Sequence, residues 1–351
     1  MRALRKTAPT PGAELEDVAI PEPGEAEVLV RVHAASICGT DLHIYDWNEW
    51  AEGRIRTPMT FGHELAGTVE EVGPEVHHVN PGAFVAAETH IACGVCSTCR
   101  TGRAHICRNL KILGVDTDGA FAEYVVVPAE NAWIVGEGIQ PDHASVMEPF
   151  GNAVHATFGT EGGEDLLTNP VAVIGCGPIG LFSVGIARAL GAWKVIAIEP
   201  NDERRALAAK MGADLLVDPK ADDPVEVVMD ATEGNGAEVV LEMSGNATAI
   251  GQGTRMLAPG GRMSLLGLPD RPVTLDLSDQ VIFKEARILG ITGRQMFRTW
   301  QQTTTLLSTG RVDISPVITH RLPLERFAEA FETAASGHAA KVIVFPDGRR
   351  P

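Results

Sequence analysis

Four cysteines crowd into one short stretch, Cys93-x2-Cys96-x2-Cys99-x7-Cys107. Four thiolates on a single loop suit a tetrahedral zinc ion whose shell is closed by sulfur, a site that stabilises a lobe and leaves no position for substrate. An iron–sulfur cluster is the rival. The bacterial ferredoxin pattern, however, ends C-x3-C-P, whereas here the last gap is seven residues and Arg108 follows. Chemistry therefore needs a second centre, and the chain offers Cys38 in SICGTDLH and the adjacent pair His63 and Glu64 in FGHELAG. A Cys, a His and a carboxylate are the ligand types of zinc sites that keep one position open. On residue type alone, a lone Cys such as Cys38 is usually a small buried apolar residue, and a lone His such as His63 more often a hydrogen-bonded surface or core group. Thr40 and His43 follow Cys38 by two and five residues, so both could face one small site; the bland alternative is a capping Thr beside an exposed His.

A third motif is Gly175-Cys176-Gly177-Pro178-Ile179-Gly180, of the form G-x-G-x-x-G, directly after the apolar run VAVI and before LFSVGIARAL. In that strand-to-helix context the glycines let the backbone approach a pyrophosphate, whose charge the helix N-terminus favours. Glu199 ends the next apolar run, KVIAIE, about where a carboxylate binds the adenosine ribose hydroxyls. A carboxylate there repels a 2′-phosphate, so NAD is expected over NADP. Arg204 softens that expectation, since it could welcome a phosphate.

These residues need elements to hold them. The first third has short alternating or apolar runs (Glu27 to His33, Gly67 to Val72, Ala83 to Glu88) broken by Pro and Gly, which predicts an irregular β-rich domain. From about Val154, apolar strands (Val171 to Ile174, Val195 to Ile198, Leu215 to Val217, Val239 to Met243, Met263 to Leu266) alternate with helical patterns such as Asp202 to Met211. That alternation predicts a doubly wound parallel sheet of Rossmann type, an α/β fold. After about Gly293 the texture is mixed again, with a helix-like TWQQTTTLLSTG, a strand-like VITHRL, a helix in LERFAEAFETAASG and a closing strand KVIVF. The expected organisation is a β-rich catalytic domain over 1–153 with a metal lobe, a dinucleotide-binding domain over 154–294, and a return to the first domain over 295–351. The uncharged stretch Leu166 to Ala187 is long enough to cross a bilayer, but its Pro and Gly residues make it a strand, a turn and a buried helix.

Composition narrows the class. A chain of 351 residues with 44% hydrophobic content can bury two ordinary cores, and a net charge of −17 argues against nucleic acid, which requires clustered Lys and Arg. The opening MRALRKTAPTPGAELED has no apolar core with a cleavage site, so a cytoplasmic protein is expected, with no membrane partner. Dense cysteines without a secretory leader again favour metal over disulfides.

Together the GHE-x2-G at 62–67, the Cys-Gly-Thr at 38–40 and the four-cysteine lobe, in this order, resemble the zinc-containing medium-chain alcohol dehydrogenases over nearly the whole chain. The resemblance implies a GroES-like catalytic domain beside the Rossmann domain, two zinc ions per chain and an NAD-linked oxidation. It implies that Cys38, His63 and Glu64 surround the catalytic zinc, with Glu64 exchanging for water in some states, and that Glu148 in MEPFGNAVH lies close to the same metal. Thr40 becomes the hydroxyl that receives the substrate proton and His43 the group that passes it to solvent. Ile179, the segment Leu266-Gly267-Leu268, Ile291, Thr292 and Arg294 match further cofactor-contacting positions, and Arg204 a place where NAD-using relatives pack an Arg on adenine. Homotetramers are common in the family.

Within that family, the stretches CGTDLHIYDWNEWAEGRIRTPM, EPFGNAVHATF and GITGRQMFRTW are most similar to members that oxidise L-threonine at its β-hydroxyl to 2-amino-3-oxobutanoate. The alternatives are a polyol or sugar dehydrogenase of the sorbitol, butanediol or glucose type, and a non-catalytic member with only the structural zinc. For a small amino-acid substrate, Glu148 is a candidate partner of the ammonium and Arg294 of either the substrate carboxylate or a cofactor phosphate. Trp47 and Trp50 either wall the pocket or simply pack.

Overall fold

The computed structural model describes residues 1–348, which divide into two compact units. Unit 1 comprises Met1–Pro149, Gln295–Ser308 and the chain from Ile318 onward; unit 2 comprises Phe150–Arg294 and Thr309–Val317. The short segment Thr309–Val317 thus clusters with the second unit, whereas the sequence pattern predicts a return to the first domain over 295–351. Its Val312 packs where a Cβ on Gly185 would lie, inside unit 2.

Unit 1 is built on a seven-stranded sheet. Its path runs Ala132–Ile134, Phe84–Ala87, Glu64–Val72, Glu27–Ser36, Lys341–Phe345 and Ile318–Pro323, with Tyr124–Pro128 also pairing on Glu27–Ser36. The strands pair antiparallel except for the last two, which are parallel. Val28, Val30 and Val32 alternate along the central strand onto one face, where they meet Leu65, Val69 and Phe121 in the core. Phe61, Phe121 and Phe331 close that core, the first two edge to face at 5.2 Å. Burying each of these side chains contributes about 1.5–3 kcal/mol, so the sheet that carries the site is firmly held.

Three strand ends meet at one place. Ser36 pairs with Glu64 in the ladder, and Lys341 begins the strand on the other side of the central one. Beyond Ser36 the chain turns into helix α1 (Gly39–Asp46), then helix α2 (Glu49–Arg54). Gly62 is required just before His63: its φ is +95°, and a Cβ there would sit 2.7 Å from the Phe121 ring.

Unit 2 contains a six-stranded, all-parallel sheet in the order Leu215–Val217, Lys194–Ile198, Pro170–Ile174, Ala237–Glu242, Leu257–Leu265, Arg287–Gly290. Val171, Ala172, Val173, Val195, Ile196, Val239 and Val240 are fully buried, as continuous apolar runs in a sheet covered on both faces should be. The stretch Leu166 to Ala187 resolves into the strand Pro170–Ile174 and the helix Pro178–Ala189. No helix among the described residues is long and apolar enough to cross a membrane.

Candidate metal centres and nucleotide site

The four lobe cysteines converge, with ligand atoms within 4.8 Å of one another. Cys96 Sγ lies 3.4 Å from Cys99 Sγ and 3.8 Å from Cys107 Sγ. A zinc tetrahedron with arms of about 2.3 Å has edges of about 3.8 Å, so the spacing fits the ion and is far too long for a disulfide. Backbone N–H groups of Cys93 and Asn109 each donate to Cys107 Sγ at 3.3 Å, which fixes that sulfur within the cluster. The Thr98 hydroxyl and two backbone amides hold the Cys96 thiol down to about 5, while burial and the neighbouring sulfurs push Cys99 up to about 12. Sulfurs this close cannot all ionise without a cation among them.

The second group is Cys38, His63 and Glu64, again within 4.8 Å. Glu64 is fully buried: its Oε2 accepts from Ser36 Oγ and the Lys341 ammonium, while its Oε1 has no hydrogen-bond partner. A buried carboxylate oxygen left unpaired beside a thiol and an imidazole is the vacancy in bonding that a zinc ion would fill. Burial pushes the Glu64 carboxyl up to about 7 and nearby Glu148 adds to the rise, against the opposing pull of Lys341. Burial opposes charge on His63 too, yet Asp41 and Cys38 draw its proton on well above the ordinary range. That pull for positive charge from Asp41 and Cys38 is the same demand for a cation. These residues therefore fit zinc.

Sequence reasoning missed three supporting residues. Asp41 sits in the first turn of α1, accepting the Cys38 N–H on Oδ2 at 2.8 Å and facing His63 Nδ1 with Oδ1 at 3.3 Å. A carboxylate so placed can orient a ligating imidazole. Lys341 and Ser36 hold Glu64; Lys341 also donates to the Ile37 carbonyl at 3.1 Å. Only Asp41 had a local signal, as an acid three residues after the residue that begins a helix. The other two lie far from Glu64 in sequence.

Thr40 and His43 share a face of α1, three residues apart, with Thr40 half-buried and His43 exposed. Glu148, buried in the first turn of Met147–Phe158, accepts the Thr89 hydroxyl at 3.3 Å. Trp50 lies against His43, ring centres 6.3 Å apart, whereas Trp47 packs against the core and under the Lys6 ammonium at 5.2 Å. The packing reading therefore holds for Trp47.

In unit 2, a cavity of about 480 Å³ is lined by Gly175, Gly177, Glu199 and Arg204, joined by Ser244 and Asn246, which the sequence reading did not single out. Gly180 must be glycine, because a Cβ would lie 1.9 Å from the Gly175 carbonyl oxygen. Glu199 is buried and fixed: Oε2 accepts the Cys176 N–H at 2.7 Å and Oε1 the Asn201 N–H at 3.0 Å. Arg204 Nε is buried without a hydrogen-bond partner, while Arg205 is engaged by the Glu199 carbonyl and Asp202. Leu266 and Gly267 donate their N–H groups to the Glu242 carbonyl, and Ile291 donates to Leu265. Leu268 is exposed, and Arg294 is buried with Nη1 on Asn152 Oδ1 at 3.0 Å. Ile179, Gly180, Leu266, Gly267, Leu268, Ile291, Thr292 and Arg294 lie outside the lining of this cavity.

Comparison with known proteins identifies the family. Residues 24–137 match the alcohol dehydrogenase GroES-like domain and residues 178–309 the zinc-binding dehydrogenase family. The chain is 51% identical over 348 residues to L-threonine 3-dehydrogenase of Bacillus subtilis, covering 99% of each, and 47% identical over 352 residues to that of Thermococcus kodakarensis, covering 99% and 98%. Among solved structures it is similar to alcohol dehydrogenase TADH from Thermus sp. ATN1 (TM-score 0.90, 29% identity, covering 98% and 99%). A Sinorhizobium meliloti 1021 protein described as a zinc-binding dehydrogenase and bound to NADP gives the same TM-score at 33% identity, covering 98% and 99%. This chain belongs to the zinc-binding medium-chain alcohol dehydrogenase family and is a full-length relative of its L-threonine 3-dehydrogenases.

Proposed function

We propose that this protein oxidises the β-hydroxyl of L-threonine to 2-amino-3-oxobutanoate and passes the hydride to NAD. The observation that carries the substrate is the near-complete coverage of relatives named L-threonine 3-dehydrogenase at about half identity. Cys38, His63 and Glu64 are read as the ligands of a catalytic zinc, and the four lobe cysteines as those of a structural one. A zinc ion at the first site supplies a Lewis acid that makes a bound alcohol more acidic. Thr40 takes the substrate's hydroxyl proton into its own hydrogen bond and His43 accepts it for release to water. Glu148 is the group read as facing the substrate ammonium, and Arg294 is read as serving a carboxylate or a cofactor phosphate.

The choice of NAD rests on Glu199. Both of its oxygens accept backbone N–H groups, which hold the carboxylate in place, and a negative charge at the ribose end of the cavity repels a 2′-phosphate. Arg204, with its buried Nε unpaired, is read as packing on the adenine. Ile179, Gly180, Leu266, Gly267, Leu268, Ile291 and Thr292 complete the proposed cofactor contacts.

We read the exposed Leu277, Ile282 and Phe283 of unit 2 as contact surface between copies, in keeping with a homotetramer. Six free thiols suit a reducing, cytoplasmic compartment, and the charge of −17 disfavours nucleic acid. The test is a spectrophotometric screen of reduced-cofactor production with L-threonine, sorbitol, 2,3-butanediol and glucose, each with NAD and with NADP. Threonine with NAD should give the highest kcat/KM. No turnover of threonine would overturn the substrate, and a preference for NADP would overturn the role of Glu199.

A further inference from the structure

Asn48 is held at both ends of its side-chain amide. Its Oδ1 accepts the Ala51 N–H at 3.1 Å, which caps α2, and its Nδ2 lies 2.9 Å from His43 Nδ1. The Asn48 backbone N–H also donates to the His43 carbonyl at 3.3 Å, so the two residues are tied through main chain and side chain. The cap decides which way the amide points. Only the oxygen can accept from Ala51, so the NH2 group faces the imidazole. An amide NH2 has no lone pair to offer; Nδ1 is therefore the acceptor, and neutral His43 carries its proton on Nε2.

We propose that Asn48 is a positioning residue for the proton relay: it holds His43 as the Nε2–H tautomer and, by facing Nδ1 with a donor, opposes the arrival of a second proton. The kinetic part of this rests on the reading of His43 as the relay acceptor. In the conformation seen, neutral His43 has no free lone pair. One nitrogen bears hydrogen and the other is taken by Asn48. Uptake of a proton at Nδ1 costs the Asn48 hydrogen bond and forms an imidazolium, which then releases its Nε2 proton to water. Asn48 thus sets how readily the ring accepts and how readily it lets go. Few other groups compete for that control. The Trp50 ring packs against the imidazole without charge. Asp41 is committed to Cys38 and His63, and Asp46, Glu49 and Glu52 of α1 and α2 form no ion pair with His43 among the described residues.

The test uses the intact zinc-loaded enzyme with 15N-labelled histidine, His43→Gln serving to assign the resonances of His43. The native ring should read as Nε2–H when neutral. Asn48→Asp keeps an oxygen to cap α2, because Asp is as good a cap as Asn, but now offers a carboxylate to an Nδ1–H. Its His43 titration midpoint should rise by about one pH unit, and the acid limb of kcat/KM should move up with it. Asn48→Ser keeps a cap and replaces the amide donor with a shorter hydroxyl that does not span to the ring as the amide does, so its midpoint should rise less, in the same direction. A neutral Nδ1–H ring in the native enzyme, or an unmoved midpoint in Asn48→Asp, overturns the proposal. An acid limb that survives His43→Gln overturns instead the relay role of His43, and with it the kinetic consequence, while the tautomer set by Asn48 stands.

Discussion

Asp41, in the first turn of α1, bridges two residues: one carboxylate oxygen accepts the Cys38 N–H at 2.8 Å and the other faces His63 Nδ1 at 3.3 Å. A helix-starting hydrogen bond and the orientation of a proposed metal ligand therefore depend on one side chain. Asp41→Asn keeps the shape but loses the negative charge. Its amide can accept from Cys38 or orient His63, and it no longer favours the ring's Nδ1–H. Such partners of zinc ligands change metal affinity by about 10–100-fold. The variant should lose zinc from the Cys38 site on mild chelation and lose turnover in parallel, while holding the lobe zinc. Zinc per chain, measured against chelator concentration, checks this; unchanged retention would show that Asp41 only caps the helix.

The two zinc sites should respond differently to the same chemical change. Cys93→Ser breaks a shell made only of sulfur on a lobe whose elements are two-residue strands and single helical turns, with little apolar burial of its own. Its stability should fall by about 3 kcal/mol or more, a Tm drop on the order of 5–10 °C, with one zinc lost. Cys38→Ser removes a ligand at the end of a well-buried sheet and should abolish turnover with Tm almost unchanged. Thermal melts and metal content on both variants decide the matter. Equal stability with equal loss of activity would mean that the division into structural and catalytic zinc is wrong.

Much of this was legible in sequence because local patterns carried it. The lobe cysteines, the glycine turn and the strand before it are contiguous, and the spacing within each run narrows its use in that context. Glu199 was legible for the same reason, as the end of the next strand. What stayed hidden depends on register between distant strands. Lys341 reaches Glu64 across 277 residues because the strand it begins pairs with Glu27–Ser36, and nothing near Lys341 announces a buried carboxylate. The clustering of segment 309–317 with unit 2 was hidden for a related reason: it is a short excursion with no strong period, and its Val312 packs on the helix Pro178–Ala189. Asn48 was invisible because its chemistry lies in which end of an amide faces a histidine, and that is decided by a helix cap.

A pH dependence of stability should come from His155, on the helix Met147–Phe158 in unit 2. Its Nδ1 meets the Gly293 carbonyl at 2.9 Å and its ring is largely buried. Burial, with the Arg294 charge adding, holds its imidazolium below the ordinary range, although the Gly293 carbonyl pulls the other way. The sign follows from proton counting. Below the ordinary histidine value of about 6.5 the unfolded chain binds a proton that the folded chain refuses, so stability falls as pH drops through that value toward the lowered folded one. Above about 6.5 both states are neutral and the contribution is flat. His155→Gln retains a donor for Gly293 but cannot take up the proton. Its Tm should therefore fall less than that of the native protein between about pH 7 and pH 5. Parallel Tm curves for the two proteins across that window would remove His155 as the source, and leave the acid sensitivity to the other buried ionisable groups.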